Sequence, residues 1–214
     1  MSGIIFTITG PSLSGKSTLE AMLVKDGTFA KAVSTTTRPQ RQGEIDGAAY
    51  HFVSKEEFER REALGEMVES VEFDKNRYGV TKDEVQSKFT NGAAVVIVVE
   101  PNGARQIKAF AESQGWTCVQ VLVTNPDEVL KERFKEREDA DELADPKVYA
   151  QRWKSMKTVE KLWCEQMANA EFKFKRFDST TQDAVVKTIK DKLAELRLAN
   201  KAGMAEDKKL KMKM

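Results

Sequence analysis

The chain has 214 residues, with 35 Lys and Arg against 34 Asp and Glu for a net charge of +1, so no global field draws it to nucleic acid or to a membrane surface. A hydrophobic content of 40% beside 32% charge fits a folded protein rather than a disordered one. The longest apolar runs, 4–8 and 93–99, fall well short of the roughly twenty residues of a membrane span; the opening Met-Ser-Gly-Ile-Ile-Phe offers neither a secretory leader nor a glycine at position 2 for myristoylation, which makes a cytoplasmic protein the expectation.

In chain order, Ile4–Thr9 reads as a buried strand, followed by a glycine-bounded loop and a helix that starts near Lys16 and carries Leu19, Met22 and Leu23. Residues 34–90, with Gly43, Gly47, Gly65, Gly79 and several aromatics among short apolar runs, suggest a small inserted subdomain with strands of its own. Residues 93–100 (AAVVIVVE) and 117–124 (TCVQVLVT) are β-branched and unbroken, the pattern of parallel strands covered on both faces. A helix is expected after each, one over about 103–113 and one after Pro126 with Val129, Leu130 and Phe134 as its buried stripe. Residues 138–148 (EDADELADPKV) are acidic, poor in large apolar side chains and broken by Pro146, the composition of a mobile solvated segment. A helix over about 148–167, a short strand near 172–177 and a last helix over about 182–200 complete the body, the last with Ala184, Val185, Ile189, Leu193 and Leu196 on its apolar side. The final fourteen residues hold five Lys against two acids and read as a frayed tail. Alternating strands and helices make the class α/β, a central parallel sheet flanked by helices.

Cys118 and Cys164 form no CxxC pair and have no histidine beside them, so they are expected to be packing residues; His51 is the single histidine and is read as structural. Chemistry must come from other groups. Gly10-Pro-Ser-Leu-Ser-Gly15-Lys16-Ser17 matches GxxxxGK[ST] and sits between the first strand and the first helix, the context that gives the motif meaning. Gly10, Pro11, Ser12, Leu13, Ser14 and Gly15 would wrap the phosphates of ATP, with backbone N–H groups turned inward at positions other than Pro11; Lys16 would reach the β- and γ-phosphates, Ser17 would bind Mg²⁺, and Thr18 closes the ATP-binding stretch. This predicts a P-loop NTPase core. A GTPase should also present Asn-Lys-x-Asp after a strand, and Thr124-Asn-Pro-Asp lacks its Lys. In residues 34–54, Arg38 and Arg41 with Ser34 and Tyr50 supply donors suited to a second phosphate, the one that accepts transfer.

Here the sequence resembles the guanylate kinase family, whose acceptor motif runs S-x-T-T-R-x-P-R-x-G-E-x-x-G-x-x-Y-x-F. Ser34, Thr36, Thr37, Arg38, Arg41, Gly43, Glu44, Gly47, Tyr50 and Phe52 fall on it, with Pro39 displaced from the position held by Gln40. The likeness continues through Gly65-Glu-Met-Val-Glu69, Tyr78-Gly79, Glu100 with Asn102-Gly103-Ala104, and Arg133 with Arg137, to about residue 165. It implies one domain over 1–200: a core of 1–33, 91–137 and 158–200, an NMP-binding subdomain over 34–90 and a mobile lid over 138–157, followed by the Lys-rich tail 201–214. It implies a GMP site in which Arg38, Arg41, Tyr50 and Tyr78 hold the acceptor phosphate while Ser34, Glu69 and Glu100 stand near guanine. Glu69 makes independent sense, since a carboxylate accepts from both N1–H and the exocyclic amine of guanine. The catalytic charge falls to Lys16, Arg41 and the lid arginines Arg137 and Arg152, with Arg133 beside ATP.

Three departures stand out. Val80 replaces a hydroxyl that contacts the base, Val98 and Glu100 stand where the family strand has Asp-x-Asp, and Leu13 replaces a usual glycine in the phosphate loop. The resemblance also places 178–180 near adenine, without the Asn usual there. The expected reaction is Mg²⁺- and ATP-dependent phosphorylation of GMP, with dGMP open as a second acceptor, by a monomer or homodimer with no nucleic-acid or membrane partner. Two alternatives remain: a nucleoside monophosphate kinase of different or broader base choice, favoured by Val80 and Val98, and a non-catalytic guanylate-kinase-like binding module, opposed by the retained Lys16, Ser17, Arg38 and Arg41.

Overall fold

A computed structural model of the chain describes residues 3–73, 75–89, 92–139 and 146–211. Strand β1 (Ile4–Thr9) is buried at every position because it lies between two parallel partners, β7 (Ala94–Val98) and β8 (Thr117–Val123). With β2 (Phe29–Lys31) and β9 (Phe172–Phe174) outside them, the strands form an all-parallel sheet in the order β2-β7-β1-β8-β9. The apolar runs read from the sequence are therefore the central strands. Alternate residues of β1 feed two cores: Ile4, Phe6 and Ile8 pack with Leu19 and Leu23 of α1 (Lys16–Val24) and Val185, Ile189 and Leu193 of α7 (Gln182–Lys211), while Ile5 packs with Val95, Ile97 and Ile107 of α4 (Pro101–Ser113). Truncating any one of these large side chains to alanine costs about 2–5 kcal/mol.

Residues 34–90 build the second layer. β3 (Thr35–Thr36), β4 (His51–Phe52), β5 (Met67–Phe73) and β6 (Asn76–Thr81) form a mixed sheet in the order β4-β3-β6-β5, with α2 (Lys55–Ala63) and α3 (Lys82–Lys88) packed on it. Ser54 and Thr81 cap the two helices by accepting from the backbone N–H of Glu57 and Glu84. His51 lies in β4 with its Nε2 3.5 Å from Glu84, a structural position as expected. Cys118 and Cys164 are both partly buried and pack against the cores.

Several boundaries differ from the sequence reading. β2 was not expected, since Phe-Ala-Lys is too short to show a period. α5 (Asp127–Asp139) and α6 (Pro146–Gln166) run closer together than the lid boundaries suggest, and 140–145 lies outside the described residues. Val129 and Leu130 of α5 are buried as expected, and the Phe134 ring packs edge-on against Tyr149 and Trp153. In α7 the stripe is Val185, Ile189, Leu193 and the partly buried Leu196, with Ala184 facing out. That helix continues to Lys211 rather than fraying after Asn200, because Ala, Lys, Leu and Met favour helix and no proline intervenes.

Candidate active site

The carboxyl ends of the parallel strands converge on the phosphate loop, the place where open α/β sheets bind ligands. Gly10 is required by space: a Cβ there would lie 2.1 Å from the Val123 carbonyl of β8. Gly15, with φ 94°, ends the loop in the left-handed region, and its Cβ would meet the Phe177 ring at 2.6 Å. No side chain caps α1, so its first N–H groups stay open to an anion. Lys16 curls back and donates from Nζ to the Pro11 carbonyl at 2.7 Å. Burial pushes its ammonium down to about 8, and no carboxylate pairs with it among the described residues. Ser12, Ser17 and Thr18 are exposed at the loop mouth and Ser14 is buried.

Leu13, where the family favours glycine, sits at φ 65° in the left-handed region. A branched residue there costs about 1–2 kcal/mol. The loop is held in that shape by two side chains from afar. Arg133 of α5 donates from Nη1 to the Leu13 carbonyl at 2.8 Å and from Nη2 to the Phe177 carbonyl at 2.7 Å. Buried Asn125, just past β8, donates to the Ser14 carbonyl at 2.9 Å and accepts from the Phe177 N–H at 2.7 Å. Arg133, expected beside ATP, is thus a strut of the loop, and Asn125 was missed: only its place after a strand and before Pro126 hinted at a buried cap. Asp178, near the expected adenine position, accepts from the backbone N–H of Thr180 at 2.9 Å and pairs with Arg176, which occupies its carboxylate.

On the acceptor side, Arg38 donates from Nη2 to both carboxylate oxygens of Glu44 at 2.7 and 3.0 Å and lies over the rings of Tyr50 and Phe52, 5.4 and 5.7 Å from their centroids. Tyr50 meets Tyr78 edge-on, the ring centroids 5.9 Å apart. Glu44 also accepts from the Arg41 N–H at 2.8 Å, leaving the Arg41 side chain exposed. Glu44 was read only as a motif position; it joins the Arg38 guanidinium to the Arg41 backbone, and Arg38 in turn lies over Tyr50. Ser34 is half-buried at the head of this segment, its carbonyl accepting from the His51 N–H.

Glu69 of β5 is 3% exposed, and its Oε2 has no hydrogen-bond partner among the described residues. Burial, reinforced by the nearby Glu100, pushes its carboxyl up to about 8, and burial also raises that of Glu100. Gly103 makes the approach possible, since a Cβ there would stand 3.0 Å from Glu69 Oε2. The Val80 side chain is fully buried in the core under α4, and Val98 packs against the core under α1 and α7, so both departures serve packing. One further charge was missed: Glu20 of α1 is buried and pairs with Lys31 of β2 at 3.2 Å, tying the loop helix to the strand that leads into the acceptor segment. The side chains of Arg137 and Arg152 lie outside the described residues. Among the described residues no helix is long and apolar enough to cross a membrane.

The chain is 39% identical over 137 residues to a guanylate kinase of Symbiobacterium thermophilum, covering 63% of this chain and 63% of that protein, so it matches under two thirds of that relative's length. It is 31% identical over 160 residues to a guanylate kinase of Bartonella henselae, covering 72% and 71%, and 38% identical over 146 residues to one of Nostoc sp., covering 66% and 71%. The fold is similar to the crystal structure of guanylate kinase from Anaplasma phagocytophilum, with a TM-score of 0.65 at 22% identity over 91% of this chain and 86% of that one. The family model described as guanylate kinase matches residues 3–194, and the chain belongs to the guanylate kinase family, whose members phosphorylate GMP with ATP.

Proposed function

We propose that this chain transfers the γ-phosphoryl group of ATP to GMP, and also to dGMP, giving ADP and the nucleoside diphosphate. The observation that carries the reading is Glu69: a buried carboxyl whose Oε2 lies against Gly103 with no hydrogen-bond partner among the described residues, in a chain that also has a phosphate loop. As a carboxylate it matches two adjacent donors on a base, N1–H and the 2-amino group of guanine.

In the reaction an oxygen of the GMP phosphate attacks the γ-phosphorus of ATP, the new P–O bond forms as the bond to ADP breaks, and ADP leaves with the electron pair. The chain's part is to position and to neutralise. Lys16 trades the Pro11 carbonyl for phosphate oxygens, and the open N–H groups of α1 face the same anion. Arg38 and Arg41 take the acceptor phosphate, Arg38 exchanging one carboxylate, Glu44, for another anion. Arg137 and Arg152 are assigned to the transferring phosphoryl by the family resemblance. The expected metal is Mg²⁺ carried with ATP, as is general for the family. The Ser17 hydroxyl would help to hold Mg²⁺, which would supply positive charge against the phosphates of ATP. We place the enzyme in the cytoplasm.

The test is ADP release by the purified chain at pH 8.5 with GMP, dGMP, AMP, CMP, UMP and dTMP, using Lys16→Ala as the blank. Turnover confined to GMP and dGMP is expected; a better rate on another base would overturn the guanine assignment, and no turnover above the blank would overturn the enzyme assignment.

A further inference from the structure

We propose that Lys31 is a positioning residue for the acceptor phosphate: paired with Glu20, it cancels a buried negative charge on the phosphate-loop helix that is felt at the acceptor cluster, so that the net charge of this one pair tunes the binding of GMP. The inference rests on the GMP reading above and deepens it, adding two residues that lie outside both the phosphate-loop motif and the acceptor motif.

Glu20 follows Lys16 by about one turn of α1. It is 7% exposed, and Lys31 reaches it at 3.2 Å from the end of β2, just ahead of Ser34 and the acceptor arm. Lys31 shares a face of β2 with Phe29, which packs in the core with Leu19 and Leu23 of α1, so the lysine stem is directed at that helix while part of the side chain stays in water. Burial raises the Glu20 carboxyl, and Lys31 opposes this by its charge and by a hydrogen bond. The reach of Glu20 extends further. Its charge is felt at the Tyr50 hydroxyl, where Arg38 and Glu44 of the acceptor arm also act. Tyr50 is the centre of the acceptor cluster, with Arg38 over its ring and Tyr78 edge-on to it.

The pair therefore lies within electrostatic range of the place assigned to the acceptor phosphate. A phosphate monoester brings about two negative charges. Against that anion an unpaired Glu20 would repel, because a path through the protein screens far less than water does, and an unpaired Lys31 would attract. The intact pair does neither. The neighbouring cations are balanced in the same way, Arg38 by Glu44 and Arg77 by Glu62. Lys31 differs from Arg38 in acting through a carboxylate rather than by contact with the substrate.

The test measures KM and kcat for GMP at saturating ATP in the parent chain, Glu20→Gln, Lys31→Met and the double variant. The pair is neutral in the parent and in the double variant, positive in Glu20→Gln and negative in Lys31→Met. KM for GMP should follow that order: up on the order of tenfold in Lys31→Met, down about two- to threefold in Glu20→Gln, where water screens the lysine, and within about twofold of the parent in the double variant. kcat should move by less than about twofold, as for a charge felt alike by bound GMP and by the transition state. A purely structural tie predicts another pattern, since each single variant strands a charge in the fold and both should then raise KM. That pattern, or an unchanged KM in Lys31→Met, would overturn the inference and leave the GMP reading intact. So would a double variant as poor as Lys31→Met, which would make Lys31 a direct ligand of the phosphate. Glu20→Gln leaves no buried carboxylate to be paired, so its downward shift tests the inference even if Lys31→Met fails to fold. No GMP turnover in the parent chain would overturn the GMP reading and this inference with it.

Discussion

Replacing Arg133 by alanine removes two hydrogen bonds that cross the phosphate loop, from one guanidinium to the carbonyls of Leu13 and Phe177 at 2.8 and 2.7 Å. A hydrogen bond to a charged group is worth about 1.5–3 kcal/mol. Both carbonyls are partly buried and can recover some solvation from the loop mouth, so the low end applies to each, and the pair amounts to about 2–3 kcal/mol. At about 2–4 °C per kcal/mol for a chain of this size, the melting temperature should fall by about 5–10 °C. The loop should also lose its shape, because the Leu13 carbonyl that Arg133 holds belongs to a residue at φ 65° that has no intrinsic reason to stay there. KM for ATP should therefore rise along with the loss of stability, in the protein without nucleotide as well as with it. Arg133→Lys, able to reach one carbonyl only, should show about half the loss. The assays are a thermal melt without nucleotide and a KM series for ATP at fixed GMP. A variant with an unchanged melting temperature and a raised KM for ATP would refute the strut argument and return Arg133 to the role of a plain ATP ligand.

Gly103→Ala places a methyl group 3.0 Å from Glu69 Oε2 and should raise KM for GMP by about tenfold, the size of a displaced hydrogen-bonded contact, with KM for ATP unchanged in the same assay. Leu13→Gly should raise the melting temperature by about 1–3 °C, since the relief of about 1–2 kcal/mol of left-handed strain exceeds the added freedom of the unfolded chain. Glu69 also bears on stability: the folded state keeps a proton up to about pH 8 that the unfolded chain releases near 4.5, so its contribution is lost as pH rises through that window. Melting temperature should fall from pH 6 to pH 8.5 in the parent chain and much less in Glu69→Gln.

The parts of this molecule legible in its sequence are those whose physics is local. β1, β7 and β8 are covered on both faces, so their burial writes unbroken β-branched runs. The phosphate loop needs glycines and Lys16 within eight residues, and the acceptor arm needs Arg38, Arg41 and Tyr50 within thirteen. β2 was hidden because an edge strand of three residues has no period, and its pairing with Ala94–Val96 is made 65 residues away. Asn125 is the clearest case of a hidden residue. Its two partners lie 111 residues before it and 52 after it, and nothing in the local sequence ties a single Asn to either. The same holds for Glu20, which a helical pattern assigns to the outside until Lys31 is brought against it.

The departures from the family motif divide along the same line. At Val80 and Val98 the sequence signalled lost polar contacts, and the structure shows what those positions do in return: one fills the core beneath α4, the other the core beneath α1 and α7. Leu13 is different, because no packing gain accompanies it; its backbone angle is imposed from outside by Arg133. On the proposed reading, base recognition falls to Glu69, with Gly103 against its Oε2 and Glu100 acting on its charge. The same burial that leaves Glu69 Oε2 without a hydrogen-bond partner among the described residues makes its proton a variable of the fold, which is why stability should fall as pH rises toward 8 in the parent chain and much less once Glu69 is replaced by Gln.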